Sequence, residues 1–130
     1  MAQNTVSTEV TANTTITTTA ETVVATLSGV STSGPGRKIQ LKGEAKITTG
    51  ASTTALNLRI RRDSLTGTVV DESNIVQIEA AAGSTEDHDI SCEDIPAGEI
   101  FNATYVLTVQ GTASSADNTC VYAYLEATTS

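Results

Sequence analysis

The chain has one histidine, His88, and it lies within Glu86-Asp87-His88-Asp89. A Ser-His-Asp relay would have to use this imidazole, and no GxSxG turn presents a nucleophilic serine to it. The expected role of His88 is that of a solvated side chain. Glu86, Asp87, Asp89, Glu93, Asp94 and Glu99 make the surrounding region rich in carboxylates. Hard cations such as Ca²⁺ prefer oxygen ligands of this kind, but the EF-hand spacing is missing and a plain acidic surface is expected. Cys92 and Cys120 match no metal-site spacing and form no CxxC. They read as small buried or half-buried hydrophobes, and a bridge between them requires Cα atoms within about 7 Å. The segment GVSTSGPGRK, residues 29–38, departs from the phosphate-loop pattern because Pro35 follows Gly34 and no helical period follows Arg37. No catalytic residue, cofactor site or metal site is expected, and the chain does not read as an enzyme.

Charge is the more informative signal. The formal net charge is -8, which opposes non-specific binding to nucleic acid. All seven cations, Arg37, Lys38, Lys42, Lys46, Arg59, Arg61 and Arg62, fall within residues 37–62. Glu44 is the single acid among them, so this segment carries +6 and the remainder -14. A segregated charge of this kind suits either a solvated basic strand face or a surface that docks on an acidic neighbour or on the acidic half of a second copy.

The elements that carry these groups read as strands. Threonine occupies 24 of 130 positions, tryptophan is absent, and Phe101 is the one phenylalanine. Branched Thr, Val and Ile favour the pleated backbone. Ile39, Leu41, Gly43, Ala45 and Ile47 alternate with Lys38, Gln40, Lys42, Glu44 and Lys46, and Leu56, Leu58 and Ile60 alternate with Asn57, Arg59 and Arg61. Phe101, Ala103, Tyr105, Leu107 and Val109 share one face of a later strand, and Val121, Ala123 and Leu125 one face of the last. The polar loop between these two strands suggests a closing β-hairpin. Strands are also expected at 22–30, 68–71, 74–80 (with Val76 and Ile78 inward) and 85–91, and 80–83 reads as a loop. About eight strands with turn signals every eight to twelve residues indicate an all-β antiparallel sandwich or barrel. Residues 1–20 hold only Val6, Val10 and Ile16 among Thr, Asn and Ser, and read as an extended N-terminal arm ahead of a single domain over 21–130. Thr14–Thr19 can form an edge strand there. No run nears the ~20 apolar residues of a membrane span, and MAQNTVSTEV lacks a signal-peptide pattern, so synthesis in a cytosol is the default.

The closing stretch also carries a resemblance. Asp94-x-Pro96-Ala97-Gly98, then Tyr105-x-Leu107-x-Val109, a polar turn, and Leu125-Glu126-Ala127 resemble the C-terminal half of small tailed-phage virion proteins, and the likeness extends over about 22–128. The resemblance implies a single jelly roll similar to tumour-necrosis-factor-like domains, commonly trimeric. It also implies a capsid decoration (cement) protein, made in the host cytoplasm and resident on the capsid surface of the virion. The expected partners are the major capsid protein and two further copies of the chain. The contact residues expected on this basis are Val6, Val10 and Ile16 of the arm and Lys38, Lys42, Lys46, Arg59 and Arg61 of the basic strands. The alternative is a receptor- or carbohydrate-binding module of a head or tail fibre, for which Tyr105, Tyr122 and Tyr124 are the available tyrosines, although their placement in strands suggests core or subunit interface.

Overall fold

Alternating side chains make strands, and bulges and loops decide how the strands pair. A computed structural model describes residues 4–17, 20–50, 53–78, 85–113 and 117–129. They form strands β1 (Asn4–Val10), β2 (Thr14–Ile16), β3 (Glu21–Val30), β4 (Ile39–Thr48), β5 (Thr53–Arg62), β6 (Val69–Ile78), β7 (Thr85–Asp94), β8 (Ala103–Ala113) and β9 (Asn118–Thr129). One sheet has the order β1-β9-β4-β7, with β2 also on β9, and the other has the order β3-β8-β5-β6. All pairings are antiparallel.

The pairs nest. β5 meets β6, β4 meets β7, β3 meets β8, and β1 with β2 meets β9. The chain is thus one long hairpin with its tip between β5 and β6, rolled so that β9 also meets β4 and β8 also meets β5. That wrapping is a jelly roll, in which each half-hairpin buries one face against the other sheet. No helix among the described residues is long and apolar enough to cross a membrane.

β4 keeps its alternation throughout: Ile39, Leu41, Ala45 and Ile47 are buried while Lys42 and Lys46 stay exposed. Elsewhere the pattern slips where the register slips. β3 has irregularities at Val23/Ala25 and Leu27/Val30, which put both Val24 and Ala25 in the core and explain its mixed sequence. β9 skips one residue against β4, since Lys46 faces Tyr122 and Ile47 faces Cys120. The bulged residue is Val121, so Cys120 is buried in its place, while Ala123, Leu125 and Ala127 remain inward.

Three expectations change. The last two strands are not a hairpin, because β8 lies between β3 and β5 in one sheet and β9 between β1 and β4 in the other. Alternation reports which side of a strand meets the core and is silent about its partner. The segments expected at 68–71 and 74–80 join as β6, whose polar middle is accepted on a sheet edge and faces β5, with Arg59 opposite Glu72. Phe101 is not in β8 at all. Asn102 adopts a left-handed backbone with φ 52°, β8 starts at Ala103, and Phe101 is 85% exposed. The side chains of Val76 and Ile78, and the loop expected at 80–83, lie outside the described residues.

Within the segment expected as an arm, β1 and β2 are seated on β9 of their own chain. Val6 and Val10 pack half-buried against the core, and Ile16 is fully buried.

Candidate interaction surfaces

The seven clustered cations are divided by the roll, because consecutive strands β4 and β5 belong to different sheets. Lys38, Lys42 and Lys46 lie along the outer face of the first sheet. Lys46 stands opposite Asp87 on one side and Tyr122 on the other, and Lys42 opposite Ser91 and Glu126. Lys38 is an exposed partner of Glu93 at 3.8 Å, and Lys46 Nζ lies 5.0 Å from the centre of the Tyr122 ring. Exposed pairs of this kind contribute only about 0–1 kcal/mol, which leaves the lysines available to a partner. On the same face the Tyr122 hydroxyl donates to Glu9 at 2.9 Å and the Tyr124 hydroxyl to Glu126 at 2.7 Å. The bond to Glu9 is the main cause that pushes the Tyr122 phenol up to about 12.

Arg59 and Arg61 are committed to their own fold. On the outer face of the second sheet, Glu21 of β3 accepts from Arg61 Nε at 2.7 Å and Nη2 at 2.8 Å, and from Thr108 Oγ1 at 2.5 Å. Arg59 lies 3.2 Å from Glu21, pairs with Glu72, and donates to Gln110 at 2.7 Å. Both guanidiniums are largely covered, with side chains 13% and 17% exposed. Burial alone would raise the Glu21 pKa. The hydrogen bonds from Arg61 and Thr108 and the charges of both arginines outweigh it, and the net shift is downward. The partners come from four strands, and Glu21 is 40 residues from Arg61, so no local pattern reveals the cluster.

The acidic region is likewise sorted by side of the strand. Along β7, Asp87, Asp89 and Glu93 are exposed, Glu86 is half-buried, and His88 and Asp94 are buried. Glu44, Asp87 and Asp89 bring carboxylate oxygens within 4.8 Å of one another. A hydrogen bond with Asp87 raises the Glu44 pKa, with burial and the charges of Asp87 and Asp89 adding to it. Asp94 is not part of an acidic surface. It accepts from Arg62 Nη2 at 2.6 Å and Nε at 3.0 Å and from the Tyr105 hydroxyl at 2.6 Å.

His88 departs from its expected exposure, being 8% exposed on the core side of β7 next to Ala45 of β4. Burial lowers its pKa, and Asp87 and Asp89, which act upward, do not compensate. The fold therefore favours neutral imidazole, and the unfolded chain binds the proton at higher pH. Stability is expected to fall as pH drops below the ordinary 6.5, with the loss growing until the folded pKa is passed. Urea midpoints measured between about pH 8 and pH 5 should decline for the wild type and flatten for His88→Gln. Parallel profiles for the two proteins would contradict this.

Both cysteines are free, Cys92 half-buried and Cys120 buried. They lie on opposite neighbours of β4, at Leu41 and at Ile47, so two strand spacings and six residues of register separate them. Burial first, then the charges of Asp71 and Asp94, push the Cys92 thiol up to about 12. They act as small core side chains.

One end of the sandwich carries exposed apolar side chains. The β3–β4, β5–β6 and β7–β8 loops meet there, tied by Thr32 N–H to Ile100 O at 2.8 Å, Ile100 N–H to Thr32 Oγ1 at 3.0 Å, and Asp63 N–H to Thr104 O at 2.7 Å. At this end lie the large hydrophobic side chains that remain exposed among the described residues: Phe101 (85%), Ile95 (54%), Val69 (41%) and Leu65 (39%). The sequence signal was Phe101 itself, immediately before an Asn that breaks the strand.

No family model and no curated protein sequence matches the chain. Among solved structures, T=1 particles derived from infectious bursal disease virus are similar over 96% of this chain and 31% of theirs, with a TM-score of 0.64 at 8% identity. The T13 particle of that virus is similar over 97% of this chain and 30% of its own, with a TM-score of 0.63 at 9% identity. The crystal structure of FlhE matches over 99% of this chain and 98% of its own, with a TM-score of 0.54 at 8% identity. The chain spans less than a third of the length of the viral chains. At these identities the likeness is one of fold: an antiparallel jelly-roll sandwich of the kind found in viral particle proteins.

Proposed function

We propose that the chain is a non-enzymatic structural protein of a phage virion, bound to the outside of the capsid as a homotrimer that cements neighbouring capsid subunits. The jelly-roll order and its likeness to viral particle proteins support this reading. The observation that carries it is the apolar end. In a chain with one Phe and no Trp, the Phe stands bare at the same end of the sandwich as exposed Ile95, Leu65 and Val69, where the loops are braced to one another. Exposed aromatic anchors on rigid loops suit insertion into a partner pocket. Lys38, Lys42 and Lys46 add a charged face that orients docking on an acidic shell. Ile16, Arg59 and Arg61 serve the fold itself, and of the proposed contact residues the three lysines and half-buried Val6 and Val10 remain for the partner.

The test is co-sedimentation with shells of the encoding virus, together with solution mass by light scattering. Wild-type protein should pellet with shells. Phe101→Ser combined with Ile95→Ser should keep its circular dichroism and weaken binding at least about tenfold. Equal binding by the variant would remove the apolar end from the contact, and a monomeric mass would overturn the trimer. The paired outward rings of Tyr122 and Tyr124 beside Glu9 and Glu126 favour a second reading, a carbohydrate-binding module of a fibre. Glycan-array binding lost on Tyr124→Ala would support it.

A further inference from the structure

Among the described residues, the first sheet ends in a strand that is hydrogen-bonded to one neighbour, β9. β1 runs along β9 in unbroken register, from Asn4 opposite Thr129 to Val10 opposite Ala123. None of its side chains is buried: Val6, Thr8 and Val10 are half-exposed and the other four are exposed. Its side-chain hydrogen bonds include the exposed contacts Thr5–Thr128 at 3.1 Å and Tyr122–Glu9 at 2.9 Å and one between Ser7 and Tyr124. The backbone ladder holds it, together with Val6 and Val10, which pack half-buried against the core. By contrast, Ala123, Leu125 and Ala127 of β9 are at most 1% exposed.

The attachment also has a natural point of release. Between Val10 and Thr14 the chain advances four residues, while their partners on β9, Ala123 and Cys120, are three apart. Thr11-Ala12-Asn13 therefore leaves the ladder, beside the bulge at Val121. Just beyond it, fully buried Ile16 fixes β2 to the core. A strand that peels from the Asn4 end stops at that anchor.

We infer that β1 is an exchangeable strand: Asn4–Val10 of one copy pairs with the β9 edge of a second copy, with Thr11–Asn13 as the hinge. The site on β9 is defined by what occupies it. A vacated β9 presents unpaired N–H and C=O groups and a shallow row that accepts Val6 and Val10 only in one register. The same segment from another copy restores every contact, so exchange changes no interaction and is opposed mainly by the entropy of association. This inference does not depend on the virion reading, since it concerns contacts between identical chains.

Ser7 and Glu126 are directly opposite in the β1–β9 register. Cα separations of antiparallel partners, about 4.5–5.5 Å, are within disulfide range. Full-length Ser7→Cys and Glu126→Cys chains, unfolded and refolded together and then oxidised, should yield a disulfide-linked heterodimer on non-reducing gels. A parallel mixture of Ser7→Cys with Ser91→Cys, on the distant edge strand β7, should yield none beyond random coupling. Thr5→Cys with Thr128→Cys repeats the test on the next outward pair should the first pair disturb folding. A heterodimer band well above the control for either pair supports exchange. Equal bands in test and control mixtures, with both variants folded by circular dichroism, would overturn it.

Discussion

Asp94→Ala is expected to lower unfolding free energy by about 3 kcal/mol, because it removes a buried carboxylate that serves both a half-buried arginine and a buried hydroxyl. Asp94 ends β7 in the first sheet, whereas Arg62 and Tyr105 are paired residues of β5 and β8 in the second. Its carboxylate takes two hydrogen bonds from the Arg62 guanidinium and one from Tyr105, whose side chain is wholly buried. Burial, followed by the bond to Asp94 and its charge, pushes the Tyr105 phenol well above its usual range, so it donates at any working pH. Removing the carboxylate leaves a half-buried guanidinium and a buried hydroxyl without this acceptor. Tyr105→Phe alone should cost about 1 kcal/mol, the net contribution of one hydrogen bond. In the Asp94→Ala background the same change should cost much less, since the bond is already gone. Urea titrations of the four proteins measure this cycle. A loss under about 1 kcal/mol for Asp94→Ala, or strict additivity, would mean that water replaces the network without penalty. The same cluster anchors the end of β7 from which the β7–β8 loop leaves, so Asp94→Ala should also weaken any contact made through Phe101.

The second large effect concerns Gly43 and Leu107, which meet across the middle of the sandwich. Gly43 faces inward on β4, and a Cβ there would stand 3.0 Å from Ile90 Cγ2 and 3.1 Å from Leu107 Cδ1. Leu107 is fully buried. Leu107→Ala should cost about 3 kcal/mol, from lost transfer free energy and the cavity left behind. Gly43→Ala should cost about 1 kcal/mol in the wild type, because two branched side chains must give way. Combined, the two changes should be less harmful than their sum, since the added methyl enters space that Leu107 vacates. Thermal and denaturant unfolding of the two single variants and the double variant test the pairing. If Gly43→Ala is as costly without Leu107 as with it, the inter-sheet contact at this point is not what keeps the position as glycine.

The residues themselves made much of this fold legible. The period of two in β4 and β5 placed Ile39, Leu41, Ala45, Ile47, Leu56, Leu58 and Ile60 inside, and all are buried. Such a period depends only on the geometry of one strand, so it survives without knowledge of partners. The all-β class followed from it and from the threonine content. Pairing was another matter. β8 and β9 have the alternation and linking loop of a hairpin, yet they face each other from opposite sheets, because the rolled topology is set by contacts between distant segments. Bulges moved Val121 out and Cys120 in, a shift of one residue that hydrophobicity does not distinguish.

The surfaces divided along the same line. The sequence by itself determined that the cations are confined to 37–62 and that the outward positions of β4 carry Lys42 and Lys46. Only the tertiary structure decided which charges remain available. Glu21, Gln110 and Glu72 converge on Arg59 and Arg61 from other strands, and Asp94 meets Arg62 and Tyr105 across the sandwich. Tertiary structure likewise turned Phe101 outward and His88 inward, because a left-handed Asn102 ends the strand early and β7 presents His88 to the core. Side-chain periodicity is local, whereas ion pairing and burial depend on which strands the roll brings together.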